Sequence, residues 1–332
     1  MAKSVAKRIK KLKKSKEYRV ITIVIVFLIA AISYFFYQNN QNPIIYSSSQ
    51  NEDGYYYYVE TTDLNDYYYH ADQLMGMQLE NKLSDLINNN FQPVTYNDVK
   101  TYLEQSDLSI DDPTKIYNIY DGSLVDSVWD SGVTWNCEYI WPQSRLGLES
   151  LENGVNGTEK NIATDLHNLR AASPSMRSSR SECFYSAGSG QAGITDDSGY
   201  YPGDDHIGDV ARILLYMVIM YDNLTLTDDL NDLIDKSDKY SADGAEMGLL
   251  SVLLEWHKLD PVDDFERQRN EVIYTAQGNR NPFIDHPEYV HLIWENKTIS
   301  DLTPPVEETD NTINTLAEII FIERRIYEEN NV

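Results

Sequence analysis

The feature that most constrains this chain is an uncharged apolar run at residues 20–37. Its sequence, VITIVIVFLIAAISYFFY, contains no Asp, Glu, Lys or Arg. At about 1.5 Å per residue, a helix of this run is about 27 Å long, close to the roughly 30 Å hydrocarbon core of a bilayer. A core helix of a globular domain is the alternative, but apolar residues on every face beside a basic cluster argue against it. The run predicts a transmembrane anchor.

The charge on either side of the run predicts its direction. Residues 1–19 carry nine Lys or Arg and one Glu, so the formal net charge of −26 divides into +8 for residues 1–19 and −34 for the rest. Basic residues stay on the cytoplasmic side, so residues 1–19 are predicted to be cytoplasmic and residues from 38 onward extracellular. A cleaved signal peptide is the alternative, but its apolar region is usually shorter, and no small-residue cleavage pattern follows Tyr37. We expect a single-pass protein of the cell membrane, with the lipid bilayer as partner of residues 20–37.

The remaining sequence predicts a polar spacer and one folded domain. Residues 38–66 are rich in turn formers and tyrosine without apolar periodicity, which is typical of a solvated spacer. Residues 67–330 contain no internal repeat and no long linker, so we expect a single domain there. Apolar spacings and capping residues predict helices from Leu74 over about fourteen residues, around 98–103, and over 209–221, 244–258 and 263–275, with a short strand at 116–120.

The chemistry-bearing residues are concentrated between residues 135 and 185. This region reads WNCEYIWPQSRLG and then TDLHNLRAASPSMRSSRSECFY. It resembles the active-site region of bacterial endonuclease I, with its pattern Asn-x-Glu-His-x-Trp-Pro-x-Ser, then Asp-Leu-His-Asn-Leu and a Val-Asn-x-x-Arg helix. Further similar segments extend the resemblance over roughly residues 67–295. It implies an α+β domain, mostly helical, built around a ββα-metal finger that binds one Mg²⁺ and hydrolyses nucleic acid.

Carried over residue by residue, the resemblance gives one match and two departures. Glu138 matches the metal-binding Glu of the family. Tyr139 stands at the position of the general-base His, and a tyrosine with a reference pKa of about 10 is a poor base at neutral pH. Arg177 stands at the position of the Asn that is the second metal ligand. Its guanidinium has only donors and a permanent positive charge, so it cannot coordinate Mg²⁺.

Four further positions match the family. Arg180 matches the Arg that ends the helix motif, where it either contacts phosphate or braces the finger. Asp165, His167 and Asn168 lie in the Asp-Leu-His-Asn-Leu segment, where a second-shell catalytic role and a buried hydrogen-bond network are both open.

Cys137 and Cys183 are the two cysteines of the chain. They flank the finger in a compartment predicted to be oxidising. A disulfide and two separate thiols both remain open.

Two functions therefore compete. The motifs favour a surface nuclease that hydrolyses DNA or RNA without sequence preference and uses Mg²⁺. Tyr139, Arg177 and the charge of −34 favour a catalytically inactive nuclease fold that acts as a surface binding or scaffold protein, with Arg177 paired to Glu138 in place of the metal. An acidic chain repels nucleic acid at long range, so binding would require a local basic patch or a bridging cation.

Overall fold

The computed structural model describes residues 49–235 and 237–305. The predicted cytoplasmic segment 1–19, the predicted anchor 20–37 and the first residues of the predicted spacer lie outside these ranges, as do residues 306–332. Within the described ranges, none of the helices combines the length and the apolar character needed to cross a bilayer.

The described residues of 46–62 and 67–332 form one compact unit that mixes helices with small sheets, as the sequence predicts for the domain. Residues 63–66 group separately as a turn, in which the Asp66 amide donates to the Asp63 carbonyl at 3.0 Å. The helices are α1 (Gly76–Asn89), α2 (Tyr96–Ser106), α3 (Pro174–Arg180), α4 (Ile207–Met220), α5 (Leu230–Ile234), α6 (Leu250–Leu259), α7 (Asp264–Gln277), α8 (Pro282–Asp285) and α9 (Glu288–Trp294). The strands are β1 (Lys115–Tyr117), β2 (Leu124–Asp126), β3 (Asn136–Tyr139), β4 (Leu169–Ala172), β5 (Gly193–Ile194), β6 (Tyr200–Tyr201), β7 (Thr225–Thr227) and β8 (Glu246–Gly248).

Helix α4 is the centre of the core. Nearly all its side chains are buried, and it packs against α1, α6 and α8. Helix α1 is amphipathic and buries Leu79, Leu83 and Ile87, which recur at spacings of four and cover one face. The apolar sequence of α4 therefore forms a core helix, because α1, α6 and α8 pack around it.

The predicted helices are confirmed in position, with one exception. The helix predicted over 244–258 begins at Leu250, because Glu246–Gly248 forms strand β8 and pairs in parallel with Thr225–Thr227 of β7. Parallel pairing brings together segments about twenty residues apart, which local periodicity does not reveal. The strand predicted over 116–120 is present as Lys115–Tyr117, paired antiparallel with β2.

Two charged side chains of α4 form buried ion pairs with other elements of the domain and not with each other. Asp209 and Arg212 lie three residues apart on α4, which predicts a pair within the helix. Instead the Arg212 Nη2 lies 2.6 Å from Glu266 Oε2 of α7, and Asp209 Oδ2 lies 3.1 Å from Arg170 of β4. Each side chain thus ties α4 to a different element.

The described part of the predicted spacer is only partly solvated, because its tyrosine run packs against the domain. The Tyr56 side chain is fully buried, its amide donates to His291 Nε2 at 3.1 Å, and its hydroxyl accepts from the Val262 amide at 3.1 Å. The Tyr58 amide donates to the Leu302 carbonyl at 2.8 Å. The tyrosine run therefore attaches residues 49–62 to the C-terminal part of the domain, because a buried ring contributes far more than a solvated one.

Candidate functional site

The site region is a hairpin followed by a short helix. Strand β3 pairs antiparallel with β4, which places Glu138 opposite Arg170 and Tyr139 opposite Leu169. Helix α3 begins two residues after β4 with Pro174 at its first turn, where proline is well tolerated, and it packs on β3. This gives the ββα arrangement that the sequence resemblance implies, with Glu138 on the strand and Arg177 and Arg180 on the helix.

Glu138 is a buried carboxylate surrounded by donors. Its side chain is 4 % exposed; Oε1 accepts from the Tyr120 hydroxyl at 3.0 Å and lies 3.4 Å from Arg180 Nη1. Oε2 lies 3.8 Å from Arg177 Nε. Burial raises the pKa of Glu138 to about 7, against the lowering effects of Arg180, the Tyr120 hydrogen bond and Arg177. Desolvation thus outweighs the two arginines.

Two tyrosines that the sequence did not single out complete this site. The Tyr120 and Tyr185 hydroxyls lie 2.6 Å apart, so Tyr185 donates to Tyr120 while Tyr120 donates to Glu138. The Tyr185 ring in turn carries the Arg180 guanidinium 4.9 Å from its centroid. Tyr120 has a φ of +79°, which is rare for an aromatic residue. The adjoining Asp121-Gly122 turn signals only a chain reversal, and nothing in the sequence pairs either tyrosine with Glu138.

Tyr139 does not join the Glu138 site. Consecutive residues of a strand point to opposite faces, so its ring is directed away from the Glu138 carboxylate. The ring is buried, and its hydroxyl has no hydrogen-bond partner. Burial, followed by Tyr96 and Cys137, raises the pKa of Tyr139 well above its ordinary value. A buried, protonated phenol cannot take a proton from water.

The two arginines of α3 differ sharply in exposure. The Arg180 side chain is 1 % exposed, and its guanidinium donates to the Tyr139 carbonyl at 2.8 Å and to the Ile140 carbonyl, so it braces the end of β3. The Arg177 side chain is 47 % exposed and approaches Glu138 at ion-pair distance, without a hydrogen bond between them. Arg177 therefore faces both the carboxylate and the solvent.

The donor set does not fit Mg²⁺. Hard divalent cations need oxygen ligands, but Glu138 Oε1 is taken by Tyr120 and the position beside Oε2 holds a guanidinium. In residues 49–235 and 237–305, no three His, Cys, Asp or Glu side chains converge as a metal cluster. A cation beside Oε2 would meet the positive charge of Arg177, which offers no lone pair.

The Asp-Leu-His-Asn-Leu segment is fully buried. His167 packs its ring 4.4 Å from that of Tyr216, and burial keeps its pKa well below the ordinary value. Asn168 accepts from the Trp141 amide at 2.6 Å and donates to the Trp141 carbonyl at 3.1 Å. Asp165 accepts from the Tyr216 hydroxyl at 2.8 Å. These contacts form a hydrogen-bonded scaffold behind the hairpin, and a catalytic role for His167 or Asn168 stays a prediction.

The two cysteines are separate thiols. Cys137 is buried in β3, and Cys183 is half-buried beyond α3. Burial raises the pKa of the Cys137 thiol to about 12, while the charges of Lys100 and Arg177 lower it. Of the two arrangements left open by the sequence, the structure has the unbonded one, and Lys100 and Arg177 both lie within electrostatic reach of β3.

Comparison with known proteins agrees with this geometry. The sequence model of the Endonuclease I family matches residues 75–288. The chain is 36% identical over 240 residues to an extracellular ribonuclease of Bacillus subtilis (strain 168), covering 70% of this chain and 79% of that protein. It is 34% identical over 242 residues to an extracellular ribonuclease of Bacillus amyloliquefaciens, covering 70% and 80% respectively. With a family match over most of the domain and these relatives, the chain belongs to the endonuclease I family.

Proposed function

We propose that this chain is a membrane-anchored extracellular protein whose nuclease fold binds nucleic-acid phosphate without the metal-dependent hydrolysis of its family. The observation that carries the proposal is the position of Arg177. Its guanidinium lies 3.8 Å from Glu138 Oε2, where the second metal ligand belongs, and is nearly half exposed. An exposed guanidinium matches the geometry of a phosphate and can donate two parallel hydrogen bonds to it.

The sequence of residues 1–37 supports the membrane anchor, and the names of the relatives support the extracellular location. The apolar run with basic residues before it favours an uncleaved anchor. Both Bacillus relatives are described as extracellular, which favours an extracellular folded domain. The bilayer is then the partner of residues 20–37, and nucleic acid is the partner of the domain.

Loss of hydrolysis is supported by two independent side chains. Tyr139 is a buried phenol and supplies no base, and Arg177 supplies no metal ligand. Catalytic groups that act as a unit are strongly non-additive, so losing either removes most of the rate. Glu138 then serves as the counter-ion that holds Arg177 at the mouth of the site.

A second candidate is a nuclease of altered chemistry. The printed names of the two relatives favour ribonuclease activity, and the hairpin, the helix and the buried scaffold of the family are all in place. In that case the unmodified protein would cleave RNA, and its activity would depend on Glu138.

The test is a plasmid and RNA degradation assay of the full-length protein in detergent, with Mg²⁺ or Mn²⁺ and with EDTA. We expect no EDTA-sensitive cleavage by the unmodified protein. Arg177→Asn returns a metal ligand and removes a positive charge, so Mn²⁺ binding by calorimetry should return with this change alone. Tyr139→His alone should do little, because its base has no metal-polarised phosphate to act on.

The double variant Tyr139→His, Arg177→Asn should therefore cleave far better than either single variant. Labelled single-stranded oligonucleotide should bind the unmodified protein and bind Arg177→Gln at least several-fold more weakly. Robust metal-dependent cleavage by the unmodified protein, abolished by Glu138→Ala, would replace the binding proposal with the nuclease.

A further inference from the structure

The loop between β2 and β3 exposes apolar side chains. Val128 and Val133 are 73% and 74% exposed, and Trp129 lies between them, half-buried. Large apolar side chains gathered in one exposed loop indicate a binding surface more often than isolated ones do.

Trp129 is held in a fixed place. Its amide donates to Glu104 Oε1 at 2.7 Å, and its ring packs edge-on to the fully buried Trp135 with centroids 4.9 Å apart. The Lys100 Nζ lies 4.4 Å from the Trp129 ring centroid, a cation–π contact. Because the ammonium lies over one face of the indole, a nucleobase would stack on the opposite face, and the ammonium offers the neighbouring phosphate a positive charge.

Gly132 brings this tryptophan to the start of β3. Its φ is +82°, and a Cβ there would lie 3.3 Å from Trp129 Cη2 and 3.1 Å from Asn136 Nδ2. The ring and the amide therefore flank the same glycine. Asn136 is the first residue of β3, and Glu138 follows two residues later on the same face of the strand, about 7 Å along it.

Charge near this loop also favours a polyanion. Lys100 and Arg177 both lower the pKa of Cys137, which lies between Asn136 and Glu138 on β3, whereas Asp107 raises it. Two acidic side chains hold the loop: Glu104 accepts from the Trp129 amide, and Asp130 accepts from the Val133 and Thr134 amides. Two cations thus border the strand in a chain whose extracellular part is strongly acidic.

We propose that Trp129 and Lys100 form a base-stacking subsite beside Arg177, which takes an unpaired nucleobase of a single-stranded nucleic acid. The inference rests on the proposed phosphate binding by Arg177 and deepens it, because it names the form of nucleic acid. Stacking on an aromatic side chain tolerates any base and requires that the base be unpaired. Duplex DNA is therefore a weaker ligand than a single strand.

The experiment measures fluorescence anisotropy of two labelled fifteen-nucleotide probes with the full-length protein in detergent at low salt. One probe is single-stranded oligothymidylate, and the other has the same phosphates with abasic sites in place of the bases. The unmodified protein should prefer the probe that carries bases. Trp129→Leu, which keeps bulk without an aromatic face, should weaken binding of that probe by about 5-fold or more and leave the abasic probe unchanged.

Two controls separate stacking from charge and folding. Leu259→Ala changes a side chain that is 64% exposed at the end of α6 and should bind both probes like the unmodified protein. Arg177→Gln should weaken both probes alike. Retention of the thermal unfolding midpoint in Trp129→Leu identifies a folded variant, and Trp129→Met, which also lacks an aromatic face, serves if the leucine variant does not fold.

The outcomes distinguish the two proposals. If the unmodified protein binds both probes equally and Trp129→Leu and Trp129→Met change neither, the stacking subsite is wrong while phosphate binding stands. If the unmodified protein binds neither probe, both proposals are wrong. Binding of the loop to anionic lipid vesicles, lost in Trp129→Leu, with no preference between the probes, would assign the surface to membrane and overturn the subsite.

Discussion

At Glu138, burial raises the pKa of the carboxyl group while the neighbouring arginines lower it. The carboxylate is 4 % exposed and has two arginines and one tyrosine hydroxyl within 4 Å. Its pKa of about 7 nevertheless lies above the ordinary value of 4.5, because desolvation is the largest influence. The folded chain therefore holds this proton more tightly than the unfolded chain does.

The first prediction concerns the pH dependence of stability. The stability from protonated Glu138 is fully present below about pH 4.5 and is lost as the pH rises through 7, with a change of about 3 kcal/mol in the free energy of unfolding. Glu138→Gln lacks this titration. Its free energy of unfolding relative to the unmodified protein should therefore rise by about that amount between pH 4.5 and pH 8.

Urea unfolding of both proteins at the two pH values measures this difference, and other titrating groups cancel. A constant difference between the two proteins would show that the Glu138 carboxylate is no harder to ionise in the folded state than in the unfolded chain.

At the scale of elements, helix α3 carries two arginines with different tasks. Arg180 is buried and bonds two carbonyls at the end of β3, whereas Arg177 is half exposed. A buried charge that loses its partners, or a carbonyl that loses its donor, costs several times more than an exposed ion pair.

The second prediction compares how much Arg180 and Arg177 contribute to the free energy of unfolding. Arg180→Met should lower the free energy of unfolding by about 2–4 kcal/mol, since it leaves buried carbonyls without donors. Arg177→Met should change it by less than about 1 kcal/mol and should act on nucleic-acid binding instead. Denaturant unfolding of the two variants, with oligonucleotide anisotropy alongside, tests the division. Equal losses of stability would mean that Arg177 is part of the structural brace.

The third prediction concerns the tyrosine run before the domain. Tyr56 is fully buried although it precedes the family match at residues 75–288. Tyr56→Ala should lower the free energy of unfolding by about 3 kcal/mol or more, through lost burial and the hydrogen bond to the Val262 amide.

The neighbouring Tyr57 is only half-buried, so Tyr57→Ala is the matched control with an expected smaller loss. Similar thermal unfolding midpoints for the two variants would contradict the attachment of this segment to the domain.

At the scale of the whole molecule, the division of charge is the strongest feature. Residues 1–19 carry +8 and the rest of the chain −34, on either side of the apolar run. The Lys and Arg residues gathered before the apolar run favour the orientation in which residues 1–19 stay in the cytoplasm. Because the rest of the chain is strongly acidic, the proposed nucleic-acid binding relies on the few cations at the site, and so few phosphate contacts give only a shallow dependence of affinity on salt concentration.

The fourth prediction tests the anchor. The protein should remain in the membrane fraction after washing with high salt and with carbonate, because an apolar helix of this length partitions into lipid. Protease added to intact cells should remove the region beyond residue 38 and spare residues 1–19. Recovery of a soluble mature chain that begins near residue 38 would identify a cleaved signal peptide instead.

The sequence by itself determined the family, most of the helices, the apolar run and the two substituted positions, Tyr139 and Arg177. These depend on local order: periodicity specifies a helix, and a motif specifies which side chain stands at each position.

Only the tertiary structure decided which distant groups meet. Tyr120 donates a hydrogen bond to Glu138, which is eighteen residues away in the sequence, and Arg212 pairs with Glu266 and not with Asp209. Gly132 brings Trp129 to the start of β3, and Tyr56 of the tyrosine run packs against α9. The physical reason is that a hydrogen bond or an ion pair forms with whichever group packing brings within about 3 Å, and separation along the chain does not encode that distance.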